Sequence, residues 1–509
     1  MQKKKLINYR PMFYCFLALL GSILFAKHIF QSDWFLIAIF IVIVTVVTTA
    51  FIVSKKFIAG LFLLLAICVG LAGYTVEMSA FSNEPFHATS NLEGRVSGNS
   101  ATYGKNQYIV LEGVIVDGKP ISQNIQLRIF GAPYLSVGDE ISLVATITPI
   151  GALDENNKVQ TYAYKNNCYY MATKKSDIII RGNKKTVSEK VQCAVKEKLN
   201  QNMNEENAGI AYAMLFGDKS NVDYETKSAY RTSGIAHILA VSGLHVGIIV
   251  GALAWIMKKC RANRWVILIV ITAILAFYSY LCNFTPSVVR ASIMSFGVLF
   301  TNAIYRRHDT LSALGLAGVL ILLFRPLYAF DIGFQLSFGC VIGIVIFGRS
   351  VFKFLRKPIK KFVMPKCIAG PLATTISSQF LILPILLSNF NGVSFLTLFI
   401  NLLIIPIFTV AFVMTFFATP LLFISDFFKT FLWFPNMLMN FIGDCAKFVS
   451  SQTWSIIPHY KFAFASFVCF FAFMFVCSRI FLAEKKAKLI TSLVLACSTI
   501  LVVGLLQLT

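Results

Sequence analysis

The sequence predicts a polytopic α-helical membrane protein of about 11–13 spans, with a small extracytoplasmic β-barrel of OB-like type inserted near its start. Three observations carry this fold class. Of 509 residues, 57% are apolar and only 14% charged, well outside the usual balance of soluble domains. The apolar residues fall in runs of about 20, the length that crosses a hydrocarbon core. One long stretch, residues 78–205, breaks those runs with short apolar–polar alternation instead. The net charge of +23 has two readings. In a soluble protein it would point to nucleic acid. In a membrane protein, Lys and Arg collect in cytoplasmic loops as topology signals.

The chain opens "MQKKKLINYR" and goes directly into an apolar run without a small-residue cleavage site. It reads as an uncleaved first helix. Three spans are predicted at 11–30, 34–53 and 57–77. Lys3, Lys4, Lys5 and Arg10 precede the first, and Lys55 and Lys56 lie between the second and third. The positive-inside bias puts both groups, and the N-terminus, in the cytoplasm, so the third span delivers the chain outside. Residues 78–185 then read "LEGRVSG", "QYIVLEGVIVDG", "NIQLRIFG", "DEISLVATITPI" and "YYMATKKSDIIIRG", separated by turns such as Asp117-Gly118-Lys119-Pro120. About five strands fit a small OB-type barrel, with a five-strand sandwich as the competing arrangement. Residues 186–232 predict amphipathic helices along the outer membrane surface.

A membrane core at 233–425 and further transmembrane helices at 426–509 complete the chain. Spans are expected near 234–257, 265–283, 285–304, 310–324, 332–349, 366–388, 394–424, 430–450, 462–480 and 489–508. Counted from an inside N-terminus, the basic groups Lys258/Lys259/Arg261/Arg264, Arg306/Arg307, Arg349 through Lys361 and Lys485/Lys486/Lys488 all fall in the cytoplasm, and the C-terminus falls outside. Pro406, Pro420 and Pro435 predict broken or re-entrant helices within 394–450.

The stretch "SGIAHILAVSGLHVGIIVG", Ser233 to Gly251, holds the densest chemistry. Gly243, Gly247 and Gly251 have the small-xxx-small spacing that lets another helix approach. His237 and His245, eight residues apart with Val241 midway, share a face of an unbroken helix. Ser242 and His245 are close enough to meet. Ionisable groups at this depth face a bundle interior or a watery cavity. A Ser–His hydrolase would need an orienting carboxylate; the nearest acids are Asp218 and Asp223, and no G-x-S-x-G occurs. Zinc would need more ligands than this one histidine pair, so no metal is expected.

Further along lie Arg290 in "TPSVVRASIMS", Asp331 and Gln335 in "YAFDIGFQLSFG", and Asn401 in "LFINLLIIP". Burying either charge alone costs roughly 2.5–3.5 kcal/mol on insertion scales. Arg290 therefore pairs with Asp331 or offers its planar fork to a phosphate. His237, Ser242, Gly243, His245, Gly247, Arg290, Asp331, Gln335 and Asn401 are the candidate lining of a polar path. In the β-domain, Tyr103, Lys105, Tyr108 and Arg128, with Tyr162, Tyr164 and Lys165, combine aromatic and basic character. That suits single-stranded nucleic acid, and it also suits a solvated strand face. Of twelve cysteines most lie in apolar runs as packing residues. Cys168 and Cys193 lie in the hydrophilic segment and are a candidate disulfide, and no C-x-x-C pair occurs.

The strings "MLFGDKS", "TSGIAHILAVSGLHVGIIVG", "TPSVVRASIMS", "LYAFDIGFQLSF" and "SNFNGVSFLTLFINLLIIPI" stand in order over about residues 210–410. There the chain resembles the ComEC-type competence proteins, DNA channels of the bacterial inner membrane. The resemblance implies a channel, not an enzyme, that conducts single-stranded DNA across the cytoplasmic membrane during natural transformation. It implies membrane lipid as surroundings, an extracytoplasmic DNA receptor and a cytoplasmic helicase-like ATPase as partners, and no bound cofactor. No G-x-x-x-x-G-K-[ST] occurs, so the driving force is expected from elsewhere. Many members carry a C-terminal metallo-β-lactamase-like domain. Here the last residues are an apolar span and no H-x-H-x-D-H cluster occurs, so that domain is expected to be lacking. The alternatives are a transporter of another polyanion or a small ion, and an intramembrane hydrolase built on Ser242 and His245.

Overall fold

A computed structural model describes residues 10–30, 57–82, 89–97, 101–103, 106–121, 123–130, 135–151, 166–356, 365–389 and 392–458. The expected spans at 34–53, 462–480 and 489–508 lie outside the described residues, as do Lys105, Tyr162, Tyr164 and Lys165.

Helices α1 (Pro11–Phe30) and α2 (Phe57–Ser82) pack side by side. Gly70 allows this, since a Cβ there would strike Ser22 Oγ and the Leu19 carbonyl. The β-domain follows as β1 (Thr89–Val96), β2 (Ala101–Tyr103), β3 (Asn106–Val116), β4 (Lys119–Pro120), β5 (Asn124–Phe130), β6 (Asp139–Pro149), β7 (Cys168–Lys174) and β8 (Ile179–Asn183). Five of these close on themselves in the ring β1-β3-β5-β7-β6-β1, with β5–β7 parallel and the other neighbours antiparallel. The ring decides for a barrel over a sandwich, because β1 pairs along its length with both β3 and β6. Leu92, Leu111, Ile125, Leu127, Ile129 and Ala172 fill the interior with no exposure, the inward half of the alternation. Asp117 and Gly118, both at positive φ, form the tight turn between β3 and β4 that their sequence signals.

Arg95 fastens the barrel to α3 (Val187–Asn202), the helix after it. Its guanidinium donates to Glu112 Oε2 and to Glu189 Oε2, each at 2.6 Å. Glu189 also completes a capping box with Thr186 at the start of α3. Then come α4 (Glu205–Phe216) and α5 (Tyr224–Thr232). The sequence puts these helices on the membrane surface, but α4 is buried from Asn207 through Leu215. Its "AGIAYAML" segment is apolar all round and is enclosed in the main core, as such a helix must be.

The bundle consists of α6 (Gly243–Lys259), α7 (Arg264–Leu281), α8 (Pro286–Ala303), α9 (Thr310–Phe324), α10 (Ile332–Leu355), α11 (Lys366–Asn389), α12 (Thr397–Leu421) and α13 (Trp433–Ser451). Asn263, Asp309 and Asp331 cap α7, α9 and α10 through side-chain oxygens, and Pro286 opens α8 where its missing N–H costs nothing. Among the described residues five helices are long and apolar enough to cross a membrane, at Gly60–Ser79, Arg264–Leu281, Ile332–Leu355, Ile368–Asn389 and Phe399–Leu421. The chain between α11 and α12 forms β9 (Gly392–Ser394), which pairs with β10 (Ile456–Pro458) beyond α13. The expected break at Pro406 is absent: α12 runs through Pro406 and holds Pro420 in its last turn. Buried Ile404, Phe408 and Phe412 anchor α12 on both sides of Pro406, and such packing outweighs a lost backbone hydrogen bond. Pro435 lies in the first turn of α13, where proline is tolerated.

Short connections make the helices alternate, so the bundle has two distinct ends. At one, Arg10 pairs with Asp309 at 3.0 Å, close to the basic connections around Lys258–Arg264 and Arg306–Arg307. At the other, Arg325 reaches Asn167 of the barrel at 3.4 Å, and Glu77 accepts the Leu327 amide at 3.2 Å. The barrel and the basic connections therefore sit at opposite ends.

Candidate functional site

The site is built where α6 begins, at the barrel-facing end. Ser233 ends α5 and accepts a hydrogen bond from Thr397 Oγ1 at 3.0 Å. Gly234, at φ +78, has the Thr397 side chain so close that no Cβ would fit. A 3-10 turn, Ala236–Leu239, comes next; Ala240 and Ser242 are extended, and α6 starts at Gly243. The sequence predicts one continuous helix over 234–257 with His237 and His245 on a common face. The break at Ala240–Ser242 corrects this: His237 lies on the turn with its side chain exposed, while His245 in α6 is 0% exposed.

Ser242 and His245 do meet, as a helix cap. The Ser242 amide donates to His245 Nδ1 at 2.8 Å, Ser242 Oγ lies 2.9 Å from the same nitrogen, and the Leu244 amide donates to Ser242 Oγ at 3.2 Å. Because Nδ1 accepts from an amide, we assign the ring proton to Nε2. Nε2 is buried without a hydrogen-bond partner among the described residues, and the ring stands edge-on to Phe408 at 5.0 Å and Phe412 at 4.5 Å. A hydrolytic triad would place a carboxylate on the second nitrogen; here, among the described residues, that nitrogen has none.

Arg290, one turn into α8, is 4% exposed. Nη1 donates to the Ser337 carbonyl at 2.6 Å, the guanidinium lies 5.7 Å from the Phe338 ring centre, and Nε has no partner among the described residues. Its Nη2 touches the start of α6, for a Cβ on Gly243 would lie 2.6 Å from it. The Arg290–Asp331 ion pair that the sequence offers is not formed, and among the described residues no carboxylate lies within ion-pair distance of Arg290. Asp331 is occupied locally, because its carboxylate accepts the Phe334 amide at 2.9 Å, while Gln335 donates to the Ala329 carbonyl at 2.9 Å. Both close the turn into α10.

Asn401, in the second turn of α12, is 6% exposed and its Oδ1 has no partner among the described residues. Thr285 Oγ1, at the start of α8, is equally orphaned. The structure thus brings Ser242, Gly243, His245 and Arg290 into one closed cluster, with Asn401 on the neighbouring helix. Gly247 and Gly251 behave differently from their small-xxx-small pattern. Both are exposed, and a Cβ on either would meet nothing within 4 Å among the described residues. Only Gly243 is packed; the other two, with Leu244 at 40% exposed, form an open stripe along α6. Sequence reading missed Phe408, Phe412 and the Ser337 carbonyl. The Phe-x-x-x-Phe spacing of the first two was visible, but nothing linked it to His245.

In the barrel, Tyr108 and Arg128 are paired across β3 and β5, with the guanidinium 5.8 Å from the ring centre. Tyr103 lies on β2 opposite Asn106. The candidate disulfide is not formed: Cys168 and Cys193 are both free thiols. Cys168 is enclosed at the start of β7, where burial, with the Glu112 carboxylate adding to it, pushes its thiol up to about 12, whereas Cys193 rides on α3. At the far end, Lys259 lies over Trp255 at 5.0 Å and Arg264 over Tyr305 at 3.9 Å.

The family described as Competence protein matches residues 214–486, more than half of the chain. ComE operon protein 3 of Bacillus subtilis is 32% identical over 204 residues, covering 40% of this chain and 25% of that protein. Recombination protein 2 of Haemophilus influenzae is 26% identical over 214 residues, 40% of this chain and 27% of that protein. Competence protein ComA of Neisseria gonorrhoeae is 30% identical over 149 residues, 27% of this chain and 21% of that protein. The chain aligns with about a quarter of the length of these relatives. No solved structure matches it.

Proposed function

This chain belongs to the Competence protein family, and from that premise we propose that it conducts one strand of DNA across the bacterial cytoplasmic membrane during natural transformation. The observation that carries the reading is the gathering of Ser242, Gly243, His245 and Arg290 at the barrel-facing end of an otherwise apolar bundle. A strand carries a charge at every nucleotide, and hydrocarbon cannot solvate it. A path therefore needs polar and cationic groups to replace water, and small residues to give width.

In this account the barrel lies outside and the basic connections lie in the cytoplasm with the N-terminus. The strand order supports an OB-like barrel, with Tyr108 and Arg128 as part of a stacking and phosphate-binding face. A DNA receptor would deliver the strand to that face, and a cytoplasmic ATPase would draw it inward. The strand then passes the Arg290 cluster and runs along the open stripe of α6 formed by Leu244, Gly247 and Gly251. With His245 and Arg290 both buried, the arrangement is that of a closed mouth. Opening it moves Phe408 and Phe412 of α12 away from His245, exposing the two orphaned donors, His245 Nε2 and Arg290 Nε, to the strand.

A second reading has one observation in its favour, the 2.9 Å contact of Ser242 Oγ with His245 Nδ1. Complementation separates the two. Uptake of labelled DNA by a strain lacking this chain is expected to return with the wild-type gene. It is expected to return largely with Ser242→Ala, since a lost helix cap costs only about 0.5–2 kcal/mol. Complete loss with Ser242→Ala in a normally inserted protein would instead favour a hydrolase. Failure of the wild-type gene to restore uptake would remove the conduit reading altogether.

A further inference from the structure

We propose that Arg290 and the first turn of α6 form a binding site for a phosphate group. This deepens the conduit reading, since the strand's phosphodiesters would be its natural occupants, but binding can be tested without transport.

Three features of the site converge. Arg290 is buried in the apolar bundle, yet among the described residues it has no carboxylate partner, only the neutral Ser337 carbonyl at 2.6 Å. Its Nη2 is held against Gly243, the first residue of a 17-residue helix. A helix N-terminus carries partial positive charge and points amide N–H groups outward. Two positive ends are therefore pressed together in a low-dielectric interior, where like charges repel strongly. Finally, among the described residues the Nε donor has no partner. An isolated structural arginine would gain by any carboxylate placed here; among the described residues it has one neutral acceptor, the Ser337 carbonyl, beside the positive end of a helix, a setting that favours an oxyanion. Phosphate fits because the guanidinium fork matches two of its oxygens while the positive end of α6, whose Leu244 amide already donates to Ser242 Oγ, adds its dipole. It would take Nη1 from the Ser337 carbonyl. Gly243 is a positioning residue, because any side chain there would enter the space of Nη2.

The test uses the full chain purified in detergent micelles, with its thermal unfolding followed in increasing inorganic phosphate, in increasing dimethyl phosphate, and in chloride of matched ionic strength. The midpoint is expected to rise with both phosphates, saturably, and not with chloride. Dimethyl phosphate stands for the strand's diester; a rise with inorganic phosphate alone would overturn the diester assignment. Arg290→Gln is expected to abolish the rise. Gly243→Ala keeps the arginine and suits a helix, and it is expected to weaken phosphate binding at least about tenfold, equivalent to ~1.4 kcal/mol. Absence of a phosphate-dependent rise in the wild type, or an equal rise in Arg290→Gln, would refute the site, even where DNA uptake depends on this chain. A rise that these variants remove, in a chain that proves dispensable for uptake, would leave the site standing and the conduit refuted.

Discussion

Replacing Arg290 by glutamine is expected to lower uptake of labelled DNA by roughly 10–100-fold while the chain still inserts and folds. The magnitude comes from the loss of a charge-assisted contact to the strand, about 1.5–3 kcal/mol, at 1.4 kcal/mol per tenfold. Folding should survive, because among the described residues the arginine has no carboxylate whose charge would be left unpaired. Glutamine can still donate to the Ser337 carbonyl, and a buried cation is removed from an apolar environment. Arg290→Lys should fall between, keeping the charge but losing the fork. The check is uptake per inserted molecule, with membrane content measured by immunoblot. Normal uptake with Arg290→Gln would exclude Arg290 from the path and leave its burial as packing alone.

The second large effect is expected from Gly247→Trp. Among the described residues a Cβ at Gly247 meets nothing within 4 Å, and leaving glycine improves helix propensity by up to about 1 kcal/mol. The folded protein should therefore accept tryptophan. If the stripe lines the path, an indole there obstructs the strand, and uptake should fall to the level of the strain lacking this chain. Phe277→Trp provides the control: Phe277 is exposed on a different helix, α7, and uptake should be unchanged. Equal and normal uptake in both variants would turn the α6 stripe into a lipid-facing surface.

Much of this architecture can be read in the residues, and the failures have physical causes. The alternating segments of 78–185 announce strands, because one face of each must be buried. Ring closure and the parallel β5–β7 pair are invisible locally, since they depend on contacts between distant segments. The break before α6 was written in Ser242 and His245, three residues apart like the two ends of a capping box. An apolar run in a membrane protein lacks the polar face that would mark where a helix starts, so the run reads as continuous. Asp331 was legible twice over. It is a charge in an apolar region, but it also stands three residues before Phe334, whose amide it caps, and local capping satisfies it more cheaply than a distant ion pair. Arg290 is the reverse case. Its isolation in the sequence predicts a partner, and the structure gives it the end of a helix and a carbonyl. Glycines at small-xxx-small spacing permit close packing without requiring it, which is why Gly243 is packed and Gly247 and Gly251 are open.

The most direct test of conduction along α6 is water access at Gly251, two turns beyond Gly243. In a background with the twelve native cysteines replaced, Gly251→Cys would be exposed to a membrane-impermeant maleimide in intact cells, with and without transforming DNA. Labelling is expected in actively transforming cells, and slower labelling while DNA is being taken up. A thiol that never reacts, or that reacts at the same rate whether or not DNA is passing, would contradict conduction along α6.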